Sequence, residues 1–334
     1  MQTIRNIRYI VLLFLLVAII GVFIWINQSR NQSDIQKFHY SAKIVMGTFL
    51  KALGNAPYHV AKEKGWFAED PDLAGSTIEF HEFADRTMIS NAFTANALHV
   101  LFSAEIPVIL TKAQGNDIKI IAVSAIANQE ILVQNDSSVE TVPDLINRSI
   151  AVLPSTSSHY GLLKILEANG LSDKSVNLRL VGPDLARVAF EQGELDAWAV
   201  WAPWVEQQEI SGKGRVLPES NAIIASVMTV SSSLINDYDK QAQAIHRIIQ
   251  RAKKWIVDNP EEAKEIAARE LHLSPAVVEQ AWDKFHWDAQ LDETVLEDIQ
   301  QKAAFLAKED MTRKSKELDV GKDLIELKFY KKEP

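Results

Sequence analysis

The sequence predicts an α/β protein of two lobes, with a helical C-terminal region packed on the first lobe and a transmembrane helix ahead of both. Three patterns predict this. From residue 43, short strand-like runs alternate with helical segments, and the alternation starts afresh near residue 130. From residue 237 the apolar residues keep only a helical spacing. Residues 9–26 (YIVLLFLLVAIIGVFIWI) carry no charge.

As a helix the N-terminal run would span roughly 27 Å, close to the ~30 Å hydrocarbon thickness of a bilayer. Tyr9 and Trp25 stand at its ends, where amphipathic rings favour the interface, and Arg5 and Arg8 precede it. Positive charge stays on the cytoplasmic side, so the body is expected outside. A cleaved signal peptide, the competing reading, needs a shorter apolar region of about 7–15 residues and a small-x-small site. Here the run is longer and ends in Trp25-Ile26-Asn27-Gln28. Residues 1–28 therefore read as an uncleaved membrane anchor and 29–40 as a polar spacer.

In the first β/α series, residues 43–47 (KIVMG) read as a strand and 57–64 as a helix. Residues 77–83 (TIEFHEF) alternate with the period of two that a strand requires. A helix over 85–97, a strand over 98–102 (LHVLF), a helix over 106–113 and a strand over 118–124 (IKIIAVS) follow. The series restarts with a strand over 130–133 (EILV), a turn over 135–138, a short helix over 143–146 and a strand over 149–153 (SIAVL). The helix over 158–168 stops at Asn169-Gly170, a strong C-terminal signal. A strand over 176–181, a helix over 183–192, a strand over 197–201 and a helix over 203–209 complete it. Such alternation implies a mainly parallel sheet with helices on both faces. Residues 223–234 (IIASVMTVSSSL) read as the chain crossing back, and helices follow over 245–256, 261–271, 275–286 and 293–307. Residues 41–126 plus 226–330 would form lobe 1 and 127–225 lobe 2, with crossings near 126 and 226 as a hinge.

Composition excludes several functions. No cysteine is present, which removes disulfides, thiolate metal sites, a catalytic cysteine and a lipid-modified cysteine. The formal net charge of −9 argues against nucleic acid as a partner. No HExxH, P-loop or GxSxG motif occurs, so no catalytic residue, metal or cofactor is expected.

In open α/β sheets, ligands bind beyond the carboxyl ends of strands. Four such junctions occur: Met46-Gly47-Thr48-Phe49, Ser103-Ala104-Glu105, Pro154-Ser155-Thr156-Ser157-Ser158-His159, and Trp201-Ala202-Pro203-Trp204. In the third, four consecutive hydroxyl residues precede a helix. Ser and Thr are good caps, and free N–H groups at a helix start bind anions; a capped helix in a polar loop is the plain alternative. Trp198 and Trp201 point to opposite faces of a regular strand, so Trp198 is expected in the core and Trp201 can line a pocket. Glu105 reads either as a helix-start acid favoured by the dipole or as a pocket acid.

Residues 58–67 (YHVAKEKGWF), 155–160 (STSSHY) and 190–201 (FEQGELDAWAVW) carry a resemblance, in order and spacing, over about residues 42–310. The body resembles the periplasmic solute-binding proteins of the nitrate/sulfonate/taurine group, and within it the aliphatic-sulfonate branch. The resemblance implies a two-lobed periplasmic-binding-protein fold, class II-like, with an organosulfonate-like anion in the cleft. It also implies docking to the membrane subunits of an ABC importer, in the periplasm or on the outer face of the cytoplasmic membrane. By position, Ser155, Thr156, Ser157, Ser158 and His159 match the family's anion-holding loop. Thr48, Ser103, Ala104 and Glu105 match the opposing lobe, and Asp196 and Trp201 the strand-end wall. Two departures fall at the pocket: Pro154-Ser155 where the family usually has Lys-Gly, and Ala202-Pro203 where it usually has Asp-Pro. A thiamine-precursor pyrimidine as ligand, or a sensor that has lost transport, are the alternatives. A related group is enzymatic on this fold but uses a cysteine-rich segment, which this chain lacks.

Overall fold

The protein is described here by a computed structural model covering residues 42–49, 52–84, 86–309 and 318–330. The expected anchor and spacer lie outside the described residues; among those described, no helix is long and apolar enough to cross a membrane. Contacts sort the chain into two units. The described part of the small one holds Ala42, Lys43 and residues 75–77, where Thr77 N–H donates to Ala42 O at 2.9 Å. All else belongs to the second unit.

The strands are β1 (Lys43–Phe49), β2 (Thr77–Phe83), β3 (Val100–Ala104), β4 (Ile118–Gln134), β5 (Ser149–Val152), β6 (Asn177–Leu180), β7 (Ala197–Trp201) and β8 (Gly214–Ser231). They form one sheet in the order β2-β1-β3-β8-β4-β7-β5-β6. β1 pairs parallel with β3, and β5 parallel with β6 and β7, as β/α alternation demands. The centre differs from the mainly parallel expectation: β8 runs antiparallel to β3 and β4, and β4 antiparallel to β7. The strands expected at 118–124 and 130–133 are one strand of 17 residues. Asn128-Gln129-Glu130 breaks the apolar pattern, but β8 pairs with β4 from Ile118↔Ser231 to Gln134↔Gly214, with register shifts at Ile120/Ala122, Val123/Ala125 and Glu130/Leu132, and holds the backbone extended. Within that pairing Ala125 stands opposite Ser226 and Ile126 opposite Ala225.

The helices are α1 (Ala56–Glu63), α2 (Trp66–Glu69), α3 (Arg86–Thr94), α4 (Glu105–Ala113), α5 (Ser157–Ala168), α6 (Pro183–Glu191) and α7 (Trp204–Ile210). After β8 come α8 (Ser232–Asp237), α9 (Asp239–Asp258), α10 (Pro260–Leu271), α11 (Pro275–Trp282) and α12 (Glu293–Lys308). The short helix expected at 143–146 is a single 3-10 turn, Val142–Leu145, begun by a Thr141–Asp144 capping box. In α9, Ile245, Ile248, Ile249, Ala252 and Ile256 make one buried stripe, which packs α9 on α1. α10 also packs on α1, and α12 packs on α4. One core joins Leu101, Ile109, Ile120, Val227 and Ile299, drawn from both ends of the chain. Separate clusters around Ile150, Leu162 and Ala197, and around Phe190, Trp198 and Val205, fill the other half of the sheet.

A polar tie fixes α10 on α1. Glu270 meets His59 Nδ1 at 3.4 Å and Lys62 Nζ at 2.7 Å. The His59 bond and the Lys62 charge outweigh burial and drive the Glu270 pKa from 4.5 down to about 2. A depressed carboxyl contributes stability in full above its unfolded pKa and loses it as pH falls toward the folded value. Urea unfolding midpoints of Glu270→Gln should therefore fall less than wild type between pH 5 and 2, the two curves converging near pH 2. Parallel curves would refute the tie.

Candidate functional site

A cavity of about 60 Å³ opens where β1, β3 and β7 end and where β4 and β8 cross. Six of the sequence-derived candidates meet in it: Phe49, Ala104, Thr156, Ser157, Ser158 and Trp201. Gly54, Pro107 and Phe285 add lining from the half that contains β1 and β3. Ala127 and Asn128 of β4, Ile224 and Ser226 of β8, and Ala202 close it. No lining residue is charged.

The hydroxyl-rich end is built by α5. Thr156 is its N-cap: Thr156 Oγ1 accepts from His159 N–H at 3.4 Å and donates to Leu153 O at 2.7 Å. That hydroxyl is committed. The hydroxyls of Ser157 and Ser158 are buried and have no partner. Their N–H groups stand in the first turn, where no preceding helical carbonyl can accept them. Two buried hydroxyls and two helix-start N–H groups form a set of neutral donors, reinforced by the helix dipole. Leaving such hydroxyls unpaired costs roughly 1–3 kcal/mol each, which a bound anion would recover.

Two glycines make the site geometrically possible. A Cβ on Gly161 would stand 2.7 Å from Gln129 Nε2 and 2.8 Å from Ala222 Cβ, so its absence lets the first turns of α5 settle on β4 and β8. A Cβ on Gly54 would stand 2.1 Å from Ser226 Oγ; glycine there leaves that hydroxyl its place in the wall.

Other candidates fall outside the lining. Thr48 is buried in β1, Ser103 donates to Ala104 O at 3.1 Å, and Ser155 precedes the helix with φ +59°. His159 is buried in the first turn with Nδ1 unpartnered, and burial lowers its pKa. Asp196 is placed away from the strand-end wall. It precedes β7, whereas Trp201 ends it, a separation of roughly 16 Å along an extended chain. Its carboxylate accepts from Ser149 N–H (2.8 Å), Ser149 Oγ (2.7 Å) and Arg148 Nη1 (3.2 Å), which ties β7 to β5 and lowers its pKa despite partial burial. Trp198 is core, packed on Phe190 and Trp204.

Glu105 is neither an exposed helix-start acid nor a cavity acid. It is wholly buried behind the wall, with Lys302 Nζ at 2.5 Å and Ala225 N–H donating at 3.0 Å. Lys302 also reaches Asp298 (2.5 Å) and Ile223 O (2.9 Å). Burial alone would lower the Lys302 pKa, but Glu105 and Asp298 outweigh it and hold the ammonium charged. The ion cluster thus grips β8 on both sides of Ile224, whose side of the strand lines the cavity.

The lining residues absent from the sequence-derived set are Ala52, Gly54, Pro107, Ala127, Asn128, Ala202, Ile224, Ser226 and Phe285. Asn128 had a signal, a polar residue inside an apolar stretch. Phe285 had none, because only the tertiary fold brings it to the cavity.

The NMT1-like family signature matches residues 41–271. A Bacillus subtilis protein named for binding aliphatic sulfonates is 28% identical over 284 residues, covering 83% of this chain and 84% of its own. The crystal structure of the periplasmic aliphatic sulphonate binding protein SsuA from Escherichia coli superposes with a TM-score of 0.74 at 22% identity, covering 85% of this chain and 92% of that one. The fold is therefore that of a periplasmic binding protein. Desulfurization enzyme DSZB shares it at a TM-score of 0.60 and 18% identity, over 82% of this chain and 94% of that one. The same fold thus hosts binding and catalysis, and the fold alone does not choose between them. The match across residues 41–271 takes in the hydroxyl-rich helix start and both long crossing strands, and on it the chain belongs to the NMT1-like family.

Proposed function

We propose that this chain is the extracytoplasmic solute-binding component of an ABC importer and captures a small organosulfonate-like anion between two hinged lobes. The observation that carries the reading is the pair of buried, unpartnered hydroxyls of Ser157 and Ser158 at the start of the 12-residue helix α5. A sulfonate offers three acceptor oxygens and no proton, so it suits donors that carry no charge of their own. Residues 41–126 with 226–330 act as one lobe and 127–225 as the other, with β4 and β8 as the connecting strands. Closure over the ligand excludes water and strengthens each donor. Residues 9–26 tether the body to the membrane, and the importer's membrane subunits, which the family resemblance implies, are the docking partner. The reading gives the chain no catalytic role.

Glu105 is consumed by Lys302 and no carboxylate lines the cavity, so nothing there balances a ligand amine. The ligand's tail is uncharged. Calorimetric titration of the full chain in detergent should show heat with ethanesulfonate and binding of taurine at least about tenfold weaker. Folded protein that gives no heat with any sulfonate, or that binds a pyrimidine instead, would overturn the reading.

A further inference from the structure

Phe285 lines the cavity from the connection between α11 and α12, far in sequence from every strand-end junction. Its ring stacks on Trp287 at 4.9 Å and 16°, and Trp287 packs on Trp282 at 4.5 Å. Both tryptophans are buried. Each neighbour in sequence is also tied down. His286 N–H donates to Ile126 O at 2.8 Å and Ile126 N–H to His286 O at 3.2 Å, beside the cavity residue Ala127. Lys284 Nζ lies 2.8 Å from both Glu130 Oε2 and Glu206 Oε1. The ring is therefore held from behind and from both sides of its backbone.

It also stands on the wall facing the donors. Phe285 packs near Gly54, where a Cβ would meet its Cε1 at 3.4 Å, whereas Ser157 and Ser158 enter on α5 from the opposite half of the sheet. The cavity between them is about 60 Å³. About 10–15 Å³ of space is the least that admits a water, whose share of the liquid is about 30 Å³, so the cavity is on the order of a few waters in size. A sulfonate head fills most of that.

Resting on the sulfonate reading above, we propose that Phe285 is the specificity-determining residue that limits the ligand to a short alkyl tail. A head held by Ser157 and Ser158 leaves room for only a short tail before it meets a ring braced from behind and along its backbone.

The test is calorimetric titration of the full chain, wild type and Phe285→Ala, with methane-, propane-, hexane- and octanesulfonate. Wild type should bind propanesulfonate at least about tenfold tighter than hexanesulfonate, and Phe285→Ala should reverse that order. Phe285→Leu, a smaller change in volume, should shift the optimum part of the way and covers the case in which the alanine variant does not fold. Wild type that takes hexanesulfonate as well as propanesulfonate, or a folded variant with the wild-type chain-length profile, would overturn the inference while leaving sulfonate capture intact. Absence of binding by every member of the series to wild type would overturn both.

Discussion

Replacing Ser157 and Ser158 together by alanine should abolish measurable sulfonate binding while leaving the protein folded. A hydrogen bond to a charged group contributes about 1.5–3 kcal/mol. Losing two removes about 3–6 kcal/mol, on the order of 10²–10⁴-fold in affinity. The same change should not cost stability. Both hydroxyls are buried without partners in the empty cavity, Thr156 supplies the cap, and alanine is the best helix former. Ligand-free melting temperature should hold or rise slightly. This opposition separates a binding role from a structural one, because a structural serine would lose both. A double variant that binds ethanesulfonate within threefold of wild type would remove the helix start from the site.

Lys302→Met should give the largest stability loss of any single substitution in the cavity's supporting wall. It strands Glu105, which is wholly buried, and frees Ile223 O. Removing one partner of a buried ion pair costs about 3–5 kcal/mol. At about 2–4 °C per kcal/mol for a chain of this size class, the melting temperature should fall by about 10 °C. Affinity should fall with it, since the cluster positions Ile224. Adding Glu105→Gln should recover much of the loss, because glutamine can still accept from Ala225 N–H but needs no countercharge. A Lys302→Met protein with the wild-type melting temperature would show that the cluster holds nothing.

The helix start was legible because capping and anion binding are local: four hydroxyl residues in a row before an apolar stripe place donors at one point without reference to the rest of the chain. Trp201 was legible for a similar reason, since strand alternation separates it from Trp198. Glu105 was not. Whether a strand-end carboxylate faces a cavity or the core depends on a countercharge, and its own lies nearly two hundred residues later on α12. Asp196 was misplaced because a motif gives position in the chain but not which end of a strand faces the ligand.

By itself, then, the sequence determined the β/α alternation, the C-terminal helices, the uncharged N-terminal run and the donor-rich start of α5, all set by periodicity within a few turns or residues. Only the tertiary structure decided that β4 and β8 are long and run antiparallel through the sheet, that Lys302 takes Glu105 out of the cavity, and that Phe285 closes it. The physical reason is common to all three. Strand pairing, neutralisation of a buried charge and the filling of a wall are satisfied by whichever residue the fold brings near, and that residue leaves no mark in the local sequence.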